Sequence, residues 1–124
     1  AAYSAHEPGC AGVALIVDDE DTVRLSTAEM LADLGYLVIE AASADEALEK
    51  IRGGLCPQLV VTDHIMPGLS GTQLALLLAQ ECPTLPVLIV SGYAEEDGIP
   101  TGLARLTKPF RRAELLASIG SLLR

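Results

Sequence analysis

"VVTDHIMPG" (residues 60–68) is the stretch on which the reading of this chain turns. Val60, Val61 and Thr62 are β-branched and favour a strand. They run directly into a carboxylate, Asp63, and the Met66-Pro67-Gly68 triplet then stops the strand. "SGTQ" (70–73) follows, with Ser70 and Gln73 at capping-box spacing, so a helix starts there. An acid at the C-terminal end of a strand sits where an open α/β sheet places its chemistry. The question is whether the rest of the chain builds such a sheet and what else it brings to that edge.

Working outward, short apolar runs alternate with helical periods. "VALIV" (13–17) stops at "DDED"; "YLVIE" (36–40), "QLVVT" (58–62) and "PVLIV" (86–90) are further strands, and "GLARLT" (102–107) is a short fifth. Between them, 22–35 places Val23, Met30, Leu31 and Leu34 on one helical face and ends at Gly35. Residues 43–51 open with Ser43 and Glu46 as a capping box, and 70–81 with Ser70 and Gln73. Residues 111–124 form a closing helix, apolar at Leu115, Ile119, Leu122 and Leu123. Strict β/α alternation with short connections predicts right-handed crossovers and a parallel sheet covered on both faces. "SGYAEEDGIPT" (91–101) has two glycines, one proline and no apolar stripe. It predicts a loop, with one turn around 94–97, where a further helix would otherwise stand.

The bulk properties agree with one α/β domain. The chain has 124 residues, half of them hydrophobic and only 3% aromatic, so its core must be aliphatic. A net charge of −9 is poorly matched to nucleic acid or anionic lipid as the main partner. Cys10, Cys56 and Cys82 are scattered and form no CxxC pattern, which reads as reduced thiols and a cytoplasmic location. No apolar run approaches the roughly 20 residues of a membrane span. Residues 1–11 have neither the basic start nor the apolar run of a signal peptide. They are expected to be a linker or tail, with the domain at 12–124 drawn from a longer protein.

In a parallel sheet all C-terminal strand ends share one edge. That edge would collect Asp18 and Asp19 from the first strand, Asp63 from the third, Ser91 from the fourth and Lys108 from the fifth. Any one of them alone reads as a cap or loop residue; five together are harder to explain that way. Three clustered carboxylates repel unless a cation joins them, and Mg2+ favours a few carboxylate oxygens while keeping waters. With an ammonium and a hydroxyl beside it, such a site suits a phosphoryl group. Asp63, alone on the central strand, is the candidate nucleophile for an acyl phosphate.

The set "VDDE" (17–20), "TDHIMPG" (62–68), "SGYA" (91–94) and "KPF" (108–110) resembles the receiver domain of two-component response regulators, over roughly residues 12–124. The resemblance implies a flavodoxin-like (βα)5 fold, a doubly wound parallel five-stranded sheet, here with its fourth helix short or missing. It implies phosphoryl transfer onto Asp63 from a histidine kinase or histidine phosphotransfer domain. Asp18, Asp19, Asp63 and the carbonyl of Ile65 would be the metal ligands for Mg2+, with Mn2+ as the alternative, Asp18 acting mainly through water. Ser91 and Lys108 would hold phosphoryl oxygens, and Lys108–Pro109 would be a cis peptide. "SGYA" and "RLTKPF" are most similar to receivers at the C-terminus of hybrid histidine kinases. Where the family often carries an aromatic switch residue, three before the lysine, this chain has Arg105, so an aromatic switch is not expected.

Two other functions fit parts of the set. An aspartyl-nucleophile small-molecule phosphatase also uses Asp, Ser or Thr, Lys and Mg2+, but it carries a second acid two residues after the nucleophile, where this chain has Ile65. A degenerate receiver acting only as a binding module would not keep all five polar residues. His64, Ile65 and Tyr93 are expected at the rim of the pocket, His64 simply exposed there. Arg111 and Arg112 read as a solvated face.

Overall fold

The computed structural model describes residues 12–92 and 102–123. Along the chain these form β1 (Gly12–Val17), α1 (Asp21–Asp33), β2 (Tyr36–Ala41), α2 (Ala44–Arg52), β3 (Leu59–Asp63), α3 (Gly71–Glu81), β4 (Val87–Gly92), β5 (Ala104–Lys108) and α4 (Arg112–Leu122). The strands make one five-stranded sheet in the order β2-β1-β3-β4-β5, and every neighbouring pair is parallel. This is the parallel sheet the alternation predicts, in the flavodoxin-like order the resemblance implies. Residues 93–101, on which the expected loop, its turn and the question of a shortened helix fall, lie outside the described residues, as do residues 1–11, expected to be a linker or tail.

All six residues of β1 and all five of β3 are buried. That is why their sequences show unbroken apolar runs: both faces of a central parallel strand are covered. Side chains alternate between two aliphatic cores. Val13, Leu15, Val17 and Val60 pack with Ala47, Leu48, Leu74 and Leu78 of α2 and α3. Ala14, Ile16, Leu59, Val61 and Leu88 pack with Ala28 and Leu31 of α1 and Leu115 and Ile119 of α4.

Both predicted helix starts hold, α3 with its full capping box and α2 with the Ser43 cap alone. Ser43 Oγ accepts from Glu46 N at 3.1 Å. Ser70 and Gln73 complete the reciprocal capping box, at 2.8 and 3.1 Å. Gly35 adopts φ 100° just past α1, a conformation that costs a glycine little. The predicted apolar faces need two corrections. On α1 the buried stripe is Thr27, Ala28 and Leu31; Met30 and Leu34 pack at its edge, and Val23 is only partly buried. On α4, Leu123 is 48% exposed, because the helix ends at Leu122 and Leu123 is its C-cap residue. Arg112 is not merely solvated, since its Nη2 lies 2.7 Å from Asp33 Oδ2 at the end of α1. Cys56 and Cys82 are free thiols.

Leu78 is fully buried whereas Leu123 is half exposed. Leu78→Ala should therefore destabilise the domain by about 2–5 kcal/mol, and Leu123→Ala should stay within about 0.5 kcal/mol. Urea unfolding of the two variants checks this.

Candidate functional site

The strand order reverses between β1 and β3, and in open α/β sheets the crevice beyond the strand C-termini at such a point is the binding site. Asp18 leaves β1 there. Its N–H donates to Ala41 O of β2 at 3.1 Å, so sheet pairing extends one residue beyond the strand. Its Oδ1 accepts from Glu20 N at 2.9 Å, which turns the chain into α1. Asp18 is buried, at 3% exposure, while Asp19 is exposed. Asp63 is the last residue of β3 and is also buried. One carboxylate oxygen from each of Asp18, Asp19 and Asp63 lies within 4.8 Å of the others.

β5 ends on Lys108, one residue further than its apolar pattern predicts. Lys108 Nζ stands 2.7 Å from Asp63 Oδ1, as an ion pair that is not aligned as a hydrogen bond. Ser91 lies near the end of β4, in the strand that pairs Val90 with Asp63. It is fully buried, and among the described residues its Oγ has no hydrogen-bond partner. A buried hydroxyl without a partner is costly, which marks a position where a ligand oxygen would be welcome. The Lys108–Pro109 peptide is cis.

The electrostatics follow from burial and crowding. Burial pushes the Asp18 carboxyl above its ordinary range; the Glu20 amide opposes this, the neighbouring Asp63 charge adds to it, and Lys108 opposes it. For Lys108, burial works against the charged form. The Asp63 contact and charge, with Asp18 and Glu20, outweigh it, and the ammonium ends above its ordinary value. The acids therefore hold the lysine charged, and the lysine offsets only part of their mutual repulsion. A divalent cation fits the remainder: three convergent oxygen donors at the ends of two adjacent strands are a hard-cation donor set.

The loop after Asp63 differs from expectation at His64. This residue is buried, not exposed at the rim. Its N–H continues the ladder to Val90 O at 2.9 Å, and its Nδ1 lies 3.1 Å from Thr72 Oγ1. A side chain continuing a strand in this way is carried inward against the start of α3, where it fastens β3 to the helix. Ile65 is at the surface, 56% exposed. Met66 turns back into the core shared by α2 and α3, and Gly68 takes φ 81° to complete the turn. Tyr93 lies outside the described residues. Arg105 is an exposed residue of β5, so no ring is buried at that position.

Two residues important to this geometry escape the sequence reading. Gly71 opens α3 and donates from its N–H to His64 O at 2.8 Å; a Cβ there would stand 2.1 Å from the Asp63 carbonyl oxygen. A glycine in the first turn of a helix, where its cost is otherwise unexplained, is the signal. Arg24 donates from Nη1 to Asp18 O at 2.9 Å. A cation near a helix N-terminus, which the dipole disfavours, is the signal in that case.

The sequence profile of the response regulator receiver domain matches residues 14–120. The chain is a response regulator receiver domain. The receiver is 37% identical over 116 residues to the sensor kinase CckA of Brucella abortus, covering 88% of this chain and 12% of that protein. It is 36% identical to the response regulator GacA of Pseudomonas viridiflava, covering 85% of this chain and 52% of GacA. With the phosphate regulon regulatory protein PhoB of Klebsiella pneumoniae the identity is 33%, and the shares are 89% and 51%. It thus spans about half the length of the two regulators and much less of the kinase. Among solved structures, the receiver domain of NtrX from Brucella abortus superposes with a TM-score of 0.80 at 32% identity, over 89% of this chain and 97% of that one. A receiver domain protein from Clostridium thermocellum gives 0.81 at 26%, over 90% and 93%.

In this receiver Gly71→Ala should cost about 1–3 kcal/mol through forced repacking against β3. Gly120→Ala, in α4 with open space around the added Cβ, should instead stabilise by about 0.5–1 kcal/mol. Thermal and urea unfolding of both variants would read these opposite signs.

Proposed function

We propose that this receiver accepts a phosphoryl group on Asp63 from a phosphohistidine and changes conformation in response. The observation that carries the reading is the buried Asp63 carboxylate, flanked by Lys108 at 2.7 Å, two further acids and the unpartnered Ser91 hydroxyl. A carboxylate oxygen of Asp63 attacks phosphorus. The P–N bond breaks, its electron pair stays on the donor imidazole, which takes up a proton, and an acyl phosphate remains. Lys108 and Ser91 donate to phosphoryl oxygens as charge develops on them. Asp18, Asp19, Asp63 and the Ile65 carbonyl would hold Mg2+ (or Mn2+), which supplies positive charge to the same oxygens. The domain catalyses only its own phosphorylation and dephosphorylation.

The partner on this reading is a histidine kinase or a histidine phosphotransfer domain, and a cytoplasmic location goes with it. The likeness to CckA, a sensor kinase, supports a receiver carried by a hybrid kinase polypeptide. The rival small-molecule phosphatase needs an acid two residues after the nucleophile, and that place is taken by the exposed apolar Ile65. A net charge of −9 speaks against nucleic acid as this domain's own partner. Among the described residues no helix is long and apolar enough to cross a membrane.

Incubation with Mg2+ and a small acyl phosphate, followed by mapping of the modified residue, should place the phosphoryl group on Asp63. Asp63→Asn should abolish uptake, and Lys108→Ala should slow it about a hundredfold or more. Uptake at an unchanged rate by Asp63→Asn would refute the assignment.

The acyl phosphate should also be long-lived. Hydrolysis needs a water in line behind phosphorus, and neither Ile65 nor Tyr93, the proposed gating residues, can orient one as a general base would. The double variant Ile65→Asn with Tyr93→Glu should lose phosphate faster than wild type. An equal or slower rate would show that these side chains do not gate the water.

A further inference from the structure

We infer that Arg24 is a positioning residue for the acid site: its guanidinium fixes the Asp18 backbone, and through it the spacing of the cation-binding carboxylates. The inference rests on the reading of Asp18, Asp19 and Asp63 as a Mg2+ site. Arg24 uses its three nitrogens on three different segments. Nη1 donates to Asp18 O at 2.9 Å, Nε to Glu40 Oε1 of β2 at 3.0 Å, and Nη2 to Asp21 Oδ1 in the first turn of α1 at 2.8 Å.

The Arg24 side chain is only 16% exposed, against 86% for Asp21 and 43% for Glu40. Glu40 is the firmer anchor, because it sits within the sheet in register with Ile16 of β1. The carbonyl that Arg24 holds belongs to the peptide joining Asp18 to Asp19. With the Asp18 N–H on Ala41 O and the Asp18 carboxylate on Glu20 N, all three polar groups of Asp18 are directed. Repulsion among three carboxylates would otherwise open this loop, which is where a divalent ion must find its donors already spaced.

The role is geometric before it is electrostatic. Glu40 and Asp21 already face the guanidinium, so its charge is matched locally. What it contributes is a rigid planar fork, which a lysine, a single charge on a flexible stem, does not reproduce. Substituting lysine therefore separates the two effects. Loss of a group that orients metal ligands typically costs 10–100-fold in metal affinity.

The test is calorimetric titration of the whole chain with Mg2+, at a temperature where circular dichroism shows each variant folded. Arg24→Ala and Arg24→Lys should each weaken binding roughly tenfold or more. Asp33→Ala, which removes another ion pair of α1, made to Arg112, should leave the affinity at the wild-type level. If either Arg24 variant loses no more affinity than Asp33→Ala, the inference is overturned, and Arg24→Lys keeps the test open should Arg24→Ala fail to fold. No Mg2+ binding by the wild-type protein would instead overturn the metal reading, and the inference with it.

Discussion

Three carboxylates brought within 4.8 Å of one another, two of them buried, are the constraint around which this domain is organised. Like charges at such range repel strongly once water is removed. Nothing local to the site makes the arrangement favourable by itself, since Lys108 contributes one positive charge against three negative ones. The acids stay together because the backbone carrying them is fixed elsewhere. β1 and β3 are hydrogen-bonded neighbours over residues 14–17 and 59–62, and both are buried on each face. Separating the acids would mean separating the centre of the sheet.

The fixing continues past the strand ends, where polar groups replace the ladder. Asp18 is tied to β2, to the start of α1 and to Arg24. Asp63 is followed by His64, which reaches β4 through its N–H and α3 through its ring. Gly71 then lets α3 approach the Asp63 carbonyl more closely than any side chain would permit. The site is thereby stiff in its protein groups while the Ser91 hydroxyl, among the described residues, has no hydrogen-bond partner. Such a combination favours a ligand that brings its own acceptors over one that needs the protein to rearrange.

How much of this was legible in the sequence depends on the kind of signal. Strands were legible because central parallel strands are apolar without interruption, as in "VALIV" and "PVLIV". Helix starts at Ser43 and Ser70 were legible because a capping box is a local device. The five strand-end residues followed from one topological fact, that parallel strands deliver their C-termini to the same edge. What failed depended on side-chain direction. His64 was expected at the rim because it adjoins Asp63, but the pleat turns neighbouring side chains to different surroundings. Leu123 extended a helical stripe on paper, while the helix stops one residue sooner. Gly71 and Arg24 act through contacts with residues seven and six positions away, and no periodicity reports a contact made by one backbone carbonyl.

The two halves of the acid site have separate roots. The turn after Asp63 sends Met66 into the aliphatic cluster of α2 and α3, whereas the turn after Asp18 is moored by Arg24 to α1, whose apolar face belongs to the cluster on the other side of the sheet. These cores share the sheet between them but make up two distinct layers. Whatever bridges Asp63 to the Asp18–Asp19 turn is thus a cross-layer staple, and whatever pushes them apart works as a wedge. A single event at the edge of the sheet would meet side chains rooted in both of its faces.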